Sequence, residues 1–436
     1  MRSFYRYEYM KIKSTLFIST LLCISCFISC IQDEAPNAEA DIHTCFVPDL
    51  NTLGDIRSGN DTITISKSAF EVNIWIKPGT KSKLPDEVQI SPEFTLTEGA
   101  TIVPASGSKI TFAKDENGEY KHTYTVTAQD GKNFKEYIVK LKEAYVFRVG
   151  EDNKRTFSFE NSEMASVADP KETGLYHVLF DIFNDEKDYM WSSANAGFAI
   201  TNGKKATTED YPTYNSENGV SGKCVRLKTC LVGALGKMVK MPMAAGNFFV
   251  GNFDKTNAMK SALTSTKFGV ITYQRPTNFE FYYKFKRGDL FTDEELHVID
   301  GELDYPDAYA VLFRPFDRYG KEIPELIGKE ATLLDGTSIL PDKSGALGNI
   351  VAMAKWNNFE VENEDDLENA EFHHASIPFE YVAPYNSINY TDMKEGKYYL
   401  TVIFTSSYKG DYFYGAEGST LYVDEATITF EPQNDK

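Results

Sequence analysis

The stretch Asn278-Phe279-Glu280-Phe281-Tyr282-Tyr283-Lys284-Phe285-Lys286 decides the fold class. Phe279, Phe281, Tyr283 and Phe285 alternate with Glu280, Tyr282, Lys284 and Lys286, and a period of two is what an extended strand needs to separate two faces. Helical periodicity is scarce on either side. Residues 398–404 and 421–430 read as further strands. Between Asp317 and Phe372 the pattern weakens into Gly, Pro, Asp, Glu and Asn, which predicts long loops with little regular structure. Loops on a rigid sandwich are where ligand contacts concentrate.

Upstream, over 63–77, Phe70, Val72, Ile74 and Ile76 alternate with Glu71, Asn73, Trp75 and Lys77, a half-buried strand. Over 120–141, Tyr124 and Val126 lead to Gln129-Asp130-Gly131-Lys132 and then Tyr137, Val139 and Leu141, which reads as a hairpin. These strands predict an immunoglobulin-like β-sandwich over 43–143. Composition changes near Lys142, and 436 residues exceed one ordinary core. The expected architecture is therefore all-β, with a larger jelly-roll β-sandwich over 147–436. The phrases 98–104 (EGATIVP) and 124–131 (YTVTAQDG) resemble small sandwich domains at the base of Bacteroidetes surface lipoproteins, which implies a spacer. A single larger fold is the alternative.

Cys30 closes an apolar run, Ser14 to Ser29, that follows Lys11 and Lys13. Phe27-Ile28-Ser29-Cys30 resembles a lipobox, implying a lipoprotein signal over 1–29, lipidation of Cys30 and an acidic tether over 30–42. Gln32-Asp33-Glu34 resembles the tag of Bacteroidetes lipoproteins on the outer face of the outer membrane, so a lipid-anchored, cell-surface protein is expected. Cys26 is a competing site and Met10 a competing start. An uncleaved membrane anchor is the other reading, because the run is only slightly shorter than the roughly 20 residues that span a bilayer.

The net charge is −19, and it becomes −22 once Arg2, Arg6, Lys11, Lys13 and Glu8 leave with the signal. Such a field repels phosphates, which argues against nucleic acid as a partner. Beyond Cys23, Cys26 and Cys30, the thiols are Cys45, Cys224 and Cys230, an odd number that argues against a disulfide framework. Along a strand Cys224 and Cys230 stand about 20 Å apart, too far to bridge. Free, largely buried thiols are expected.

Several separated motifs resemble the putative carbohydrate metabolism domain (PCMD) of Bacteroidetes lipoproteins. They are 191–198 (WSSANAGF), Tyr211-Pro212, Gly222 with 226–229 (RLKT), 245–251 (AGNFFVG), and Arg275-Pro276 leading into Tyr283-Lys284-Phe285. The most specific set is Ser406-Ser407, Gly410-Asp411, Phe413, 415–419 (GAEGS) and Val423-Asp424-Glu425. Phe248 and Val250 stand where the family tends to have Leu and Thr. The resemblance covers about Phe147 to Phe430 and implies a carbohydrate role, with no catalytic residues to carry over.

Chemistry-bearing motifs are sparse. No His-Glu-x-x-His or Gly-x-Ser-x-Gly occurs. Ser406-Ser-Tyr-Lys409 fits Ser-x-x-Lys but reads as a turn. His373-His374 point to opposite strand faces and rarely share one ion. Asp304 and Asp307 lie in a polar turn expected to be solvated, with structural calcium as an alternative. Asp424 is expected to serve the closing strand, through hydrogen bonds or calcium. A glycosidase would need two carboxylates about 5 to 9.5 Å apart. Sugar binding needs flat aromatic rings and planar polar groups. The candidates are Trp191, Tyr282, Trp356 and Tyr408 as platforms and Arg275, Asn195 and Asp411 as polar partners, although large aromatics in a sandwich are more often core. The expected function is non-catalytic glycan capture beside other surface glycan-uptake proteins. A glycoside hydrolase and a protein-binding adhesin or structural subunit are the alternatives.

Overall fold

The computed structural model describes residues 35–432 apart from 51–62, 67–68, 77–84, 116–118, 144, 169–171, 203–205, 256–257, 259–264, 315–325, 328–349, 363–366 and 382–387. The signal over 1–29, Cys30 and the first residues of the tether lie outside the described residues. No described helix is long and apolar enough to cross a membrane.

The alternation at 278–286 belongs to an eleven-residue strand, Pro276–Lys286. It pairs with Thr420–Phe430 and His373–Pro378 in a six-stranded sheet completed by Cys224–Lys228, Thr213–Ser216 and Lys154–Phe157. A nine-stranded sheet lies against it, with Thr266–Phe268, Asn247–Phe253, Tyr399–Thr405, Asp307–Phe313 and Ile350–Lys355 as successive neighbours. Phe279, Phe281 and Phe285 from the first sheet meet Phe248, Val250, Val402, Phe404, Ala308, Ala310 and Leu312 from the second in one core. Small alanines facing large rings let the layers interdigitate, and each fully buried phenylalanine contributes about 1.5–3 kcal/mol.

The closing strand changes phase midway. Leu421 and Val423 enter the core, and then Ala426, Ile428 and Phe430 do. A bulge opposite Glu280 and Tyr282 supplies the extra residue, and Glu425 there adopts φ 48°. Asp424 is fully buried beside the bulge, with its carboxylate accepting the N–H groups of Val220 and Glu425. Burial, opposed by these hydrogen bonds, pushes it up to about 7.

Two sequence expectations need correction. Ile350–Lys355 is a strand inside the region read as loop. Ile350-Val-Ala-Met-Ala354 is apolar throughout because both faces are buried, so alternation is lost. Residues 63–77 are not one strand, since Ile63–Ser66 and Glu71–Ile76 pair antiparallel. Phe70, at φ 52° beside the turn, is 39% exposed, while Val72, Ile74 and Ile76 are buried. The side chain of Trp75 and all of Lys77 lie outside the described residues.

The first unit is also a layered β structure. Glu71–Ile76 runs parallel to Phe134–Glu143, which pairs antiparallel with Tyr120–Thr127 as the expected hairpin. Asp130 accepts the N–H groups of Lys132 and Asn133 around Gly131, whose φ of 65° suits glycine. The pairs Ile42–Phe46 with Glu93–Leu96 and Glu87–Ile90 with Ile110–Ala113 close over the same core. That core shares no residue with the core of the second unit. Cys45, Cys224 and Cys230 are free thiols, and only Cys224 is fully buried. Burial raises all three, Cys230 to about 11, which leaves them weak nucleophiles.

Candidate functional site

Alternation gives the nine-stranded sheet a second face. Residues out of phase with Phe248, Phe404 and Ala308 form cross-strand rows pointing away from the core. Phe249 lies opposite Ile403, Ile403 opposite Tyr309, and Tyr309 opposite Lys355. In the next row Asn247 lies opposite Thr405, and Thr405 opposite Asp307. These rows are the floor of a cavity of about 870 Å³. The helix Asn195–Asn202, Met241, residues 243–245, Tyr305, Trp356, Phe359 and residues 407–414 line its walls, with Ala245 beside Gly410.

The aromatic wall is built as a stack. Tyr305 lies 3.7 Å from Tyr408 at 12°, and on its other face stacks on Phe359 at 5.7 Å and 17°. Phe291 stacks behind Tyr408, and Trp356 meets Phe359 at 5.6 Å. Burial, then the neighbouring Tyr408 and Asp307, pushes the Tyr305 phenol up to about 12, so it stays a neutral donor. Polar groups lie beside the rings. Lys355 is 3.7 Å from the Asp307 carboxylate, and the Lys409 ammonium sits 4.9 Å from the Tyr408 centroid.

Asp304 holds this wall in place. It was expected in solvent, yet it is fully buried. Its Oδ2 accepts the Ser407 and Ser419 hydroxyls and the Ala416 N–H, and its Oδ1 accepts the Tyr305 N–H. Burial outweighs these four donors and raises its pKa. Ser406 and Ser407 both contact the Thr229 hydroxyl, so Ser406-Ser-Tyr-Lys409 is structural at its two serines. Among the described residues no group of three or more His, Cys, Asp and Glu could hold a metal ion.

Four of the seven candidate residues converge on the cavity: Asn195, Trp356, Tyr408 and Asp411. Asn195 is 1% exposed, with its amide exchanging hydrogen bonds with the Thr213 backbone, so it shapes the wall rather than reaching into the space. Trp356 is largely buried, Tyr408 half-buried and Asp411 exposed at the rim. Trp191 is a core residue and not a platform, with its ring stacked on Phe248 at 4.6 Å and on Phe404 at 5.9 Å. Tyr282 packs on His374 on the outer face of the other sheet, and Arg275 pairs with Glu431 at 2.7 Å and covers Tyr381. Neither of these two lines the cavity. Tyr283 contacts His373 and Tyr282 contacts His374, consistent with opposite faces. The sequence reading missed Tyr305, Tyr309, Lys355 and Phe359. The alternation Tyr305-Pro-Asp-Ala-Tyr309 carries a signal, but its pairing partners are distant in the chain.

These features define an all-β protein of two layered units, the second carrying a ligand-sized cavity on its outer sheet face. The chain belongs to the family described as Putative carbohydrate metabolism domain, which matches residues 158–429. Residues 53–141 match the N-terminal domain of SGBP, the surface glycan-binding proteins of Bacteroidetes. A chain from Bacteroides thetaiotaomicron described as a putative glycoside hydrolase is 32% identical, with TM-score 0.58, over 92% of this chain and 100% of that one. A chain from Bacteroides vulgatus with the same description is 31% identical, with TM-score 0.53, over 63% of this chain and 98% of that one. No curated protein matches significantly.

Proposed function

We propose that this chain is a lipid-anchored protein of the outer cell surface whose second unit binds glycan in the cavity without cleaving it. The observation that carries the reading is the wall of Tyr305, Tyr408, Trp356 and Phe359 beside Asp307, Lys355 and Asp411. The ring edges of this stack pack against the C–H groups of a pyranose while the charged groups beside them take its hydroxyls. The carbohydrate family and the surface glycan-binding match at 53–141 support the ligand class and the location. In this reading 43–143 is a spacer, Cys30 carries the lipid, and other glycan-uptake proteins are neighbours on the surface.

A hydrolase is the second reading, favoured by two carboxylates on one cavity, Asp307 and Asp411, and by the description of both relatives. The raised carboxylates Asp181, Asp304 and Asp424 do not supply its acid, because each is buried in a structural network. The test is an array of plant, host and microbial polysaccharides probed with residues 31–436. Binding that falls at least about 10-fold in Tyr408→Ala and is unchanged in Tyr282→Ala is expected. Reducing ends that accumulate and disappear in Asp307→Asn would replace this reading with the hydrolase, and absence of binding to any glycan would refute it.

A further inference from the structure

The cavity floor changes character across the sheet. From one side to the other it presents Phe268, then Phe249 and Phe253, then Ile403, then Tyr309 with Asp307, and finally Lys355. Five strands at about 4.8 Å spacing make this path roughly 19 Å long. The walls follow the same order. The helix 195–202, whose Gly197 lies against Phe253, brings Phe198 to the phenylalanine end, and the Tyr305–Tyr408 stack adjoins Asp307 and Lys409. All four charged residues of the lining, Asp307, Lys355, Lys409 and Asp411, come from the 307–313 and 350–355 strands and the 409–411 segment. The strands 247–253 and 266–268 and the helix 195–202 contribute none.

Resting on the glycan reading, we infer that the ligand is a glycan bearing an apolar substituent, an acyl, alkyl or aryl group that occupies the phenylalanine end. A ligand made of sugar alone would place hydroxyls against Phe249, Phe253, Phe268 and Ile403, where Thr201 and Thr266 are the few polar groups of the lining, losing more water contacts than it regains. An apolar group there gains by leaving water, in proportion to its area. Gly197 lets the Phe253 ring pack against the helix at this end, since a Cβ at that position would meet the ring edge at 3.2 Å.

The experiment is calorimetric titration of residues 31–436 with matched methyl and octyl β-glycosides of glucose, galactose, mannose and xylose, below their micelle concentrations, with octanol alongside. For at least one sugar the octyl form is expected to bind about 30-fold tighter or more. Phe268→Gln, or Phe253→Gln should that variant fail to fold, is expected to shrink the ratio about 10-fold and leave the methyl glycoside unchanged. Tyr408→Ala is expected to weaken both forms alike. Equal binding of the methyl and octyl forms would overturn the inference while leaving the glycan reading intact. Octyl glycosides of every sugar binding no better than octanol, or no binding at all, would overturn both.

Discussion

At Asp181 two carboxylates share one guanidinium: Arg155 lies 2.9 Å from Asp188 and 3.8 Å from Asp181, all three buried. Burial, opposed by Arg155 and aided by Asp188, pushes Asp181 up to about 6. Because the folded value lies above the ordinary 3.8, the proton is held more tightly in the folded state. The linked stability is full below pH 3.8 and is lost as pH rises through 6. Asp181→Asn is therefore expected to gain up to about 3 kcal/mol on the parent between pH 4 and 7 in urea unfolding. Asp304→Ala strips the partner from four donors and is expected to cost about 3 kcal/mol or more in the same assay. The role of Asp304 was not legible from sequence, since a carboxylate in a polar turn looks the same in either setting, and that of Asp181, within the strand His177–Phe183, depends on Arg155 and Asp188 from other strands. Trp191 failed for the same reason, because residue type does not say which side of a sheet a ring occupies.

At the level of elements, strands with one wet face announced themselves. Phe279 to Phe285 and Tyr124 to Leu141 alternate because the two strand faces meet different surroundings, and the structure buries the inward set, with Lys284 the one outward residue of 279–285 that is also buried, over Phe372 and Tyr422. Ile350–Lys355 was hidden because both faces of 350–354 are buried, and 63–77 was over-extended because Phe70 continues the apolar phase across a turn. The bulge at Glu425 makes a sharper test. A β-branched residue is strained at φ 48°, so Glu425→Val is expected to lose about 1–3 kcal/mol in urea, with Glu425→Gly close to the parent.

For the whole molecule, two cores without a common residue predict two transitions by scanning calorimetry, and Asp181→Asn should move only one. All-β architecture was readable from pattern. The cavity was not, because its floor gathers residues from five strands spread over 247–405, and only their register brings them together. The same register has an evolutionary reading. Phe248 and Phe404 answer to the core between the sheets while Phe249 and Ile403, one step along each strand, join a second apolar cluster under the cavity floor. Descendants of this chain can thus exchange what they recognise, one substitution at a time, while inheriting the scaffold unchanged.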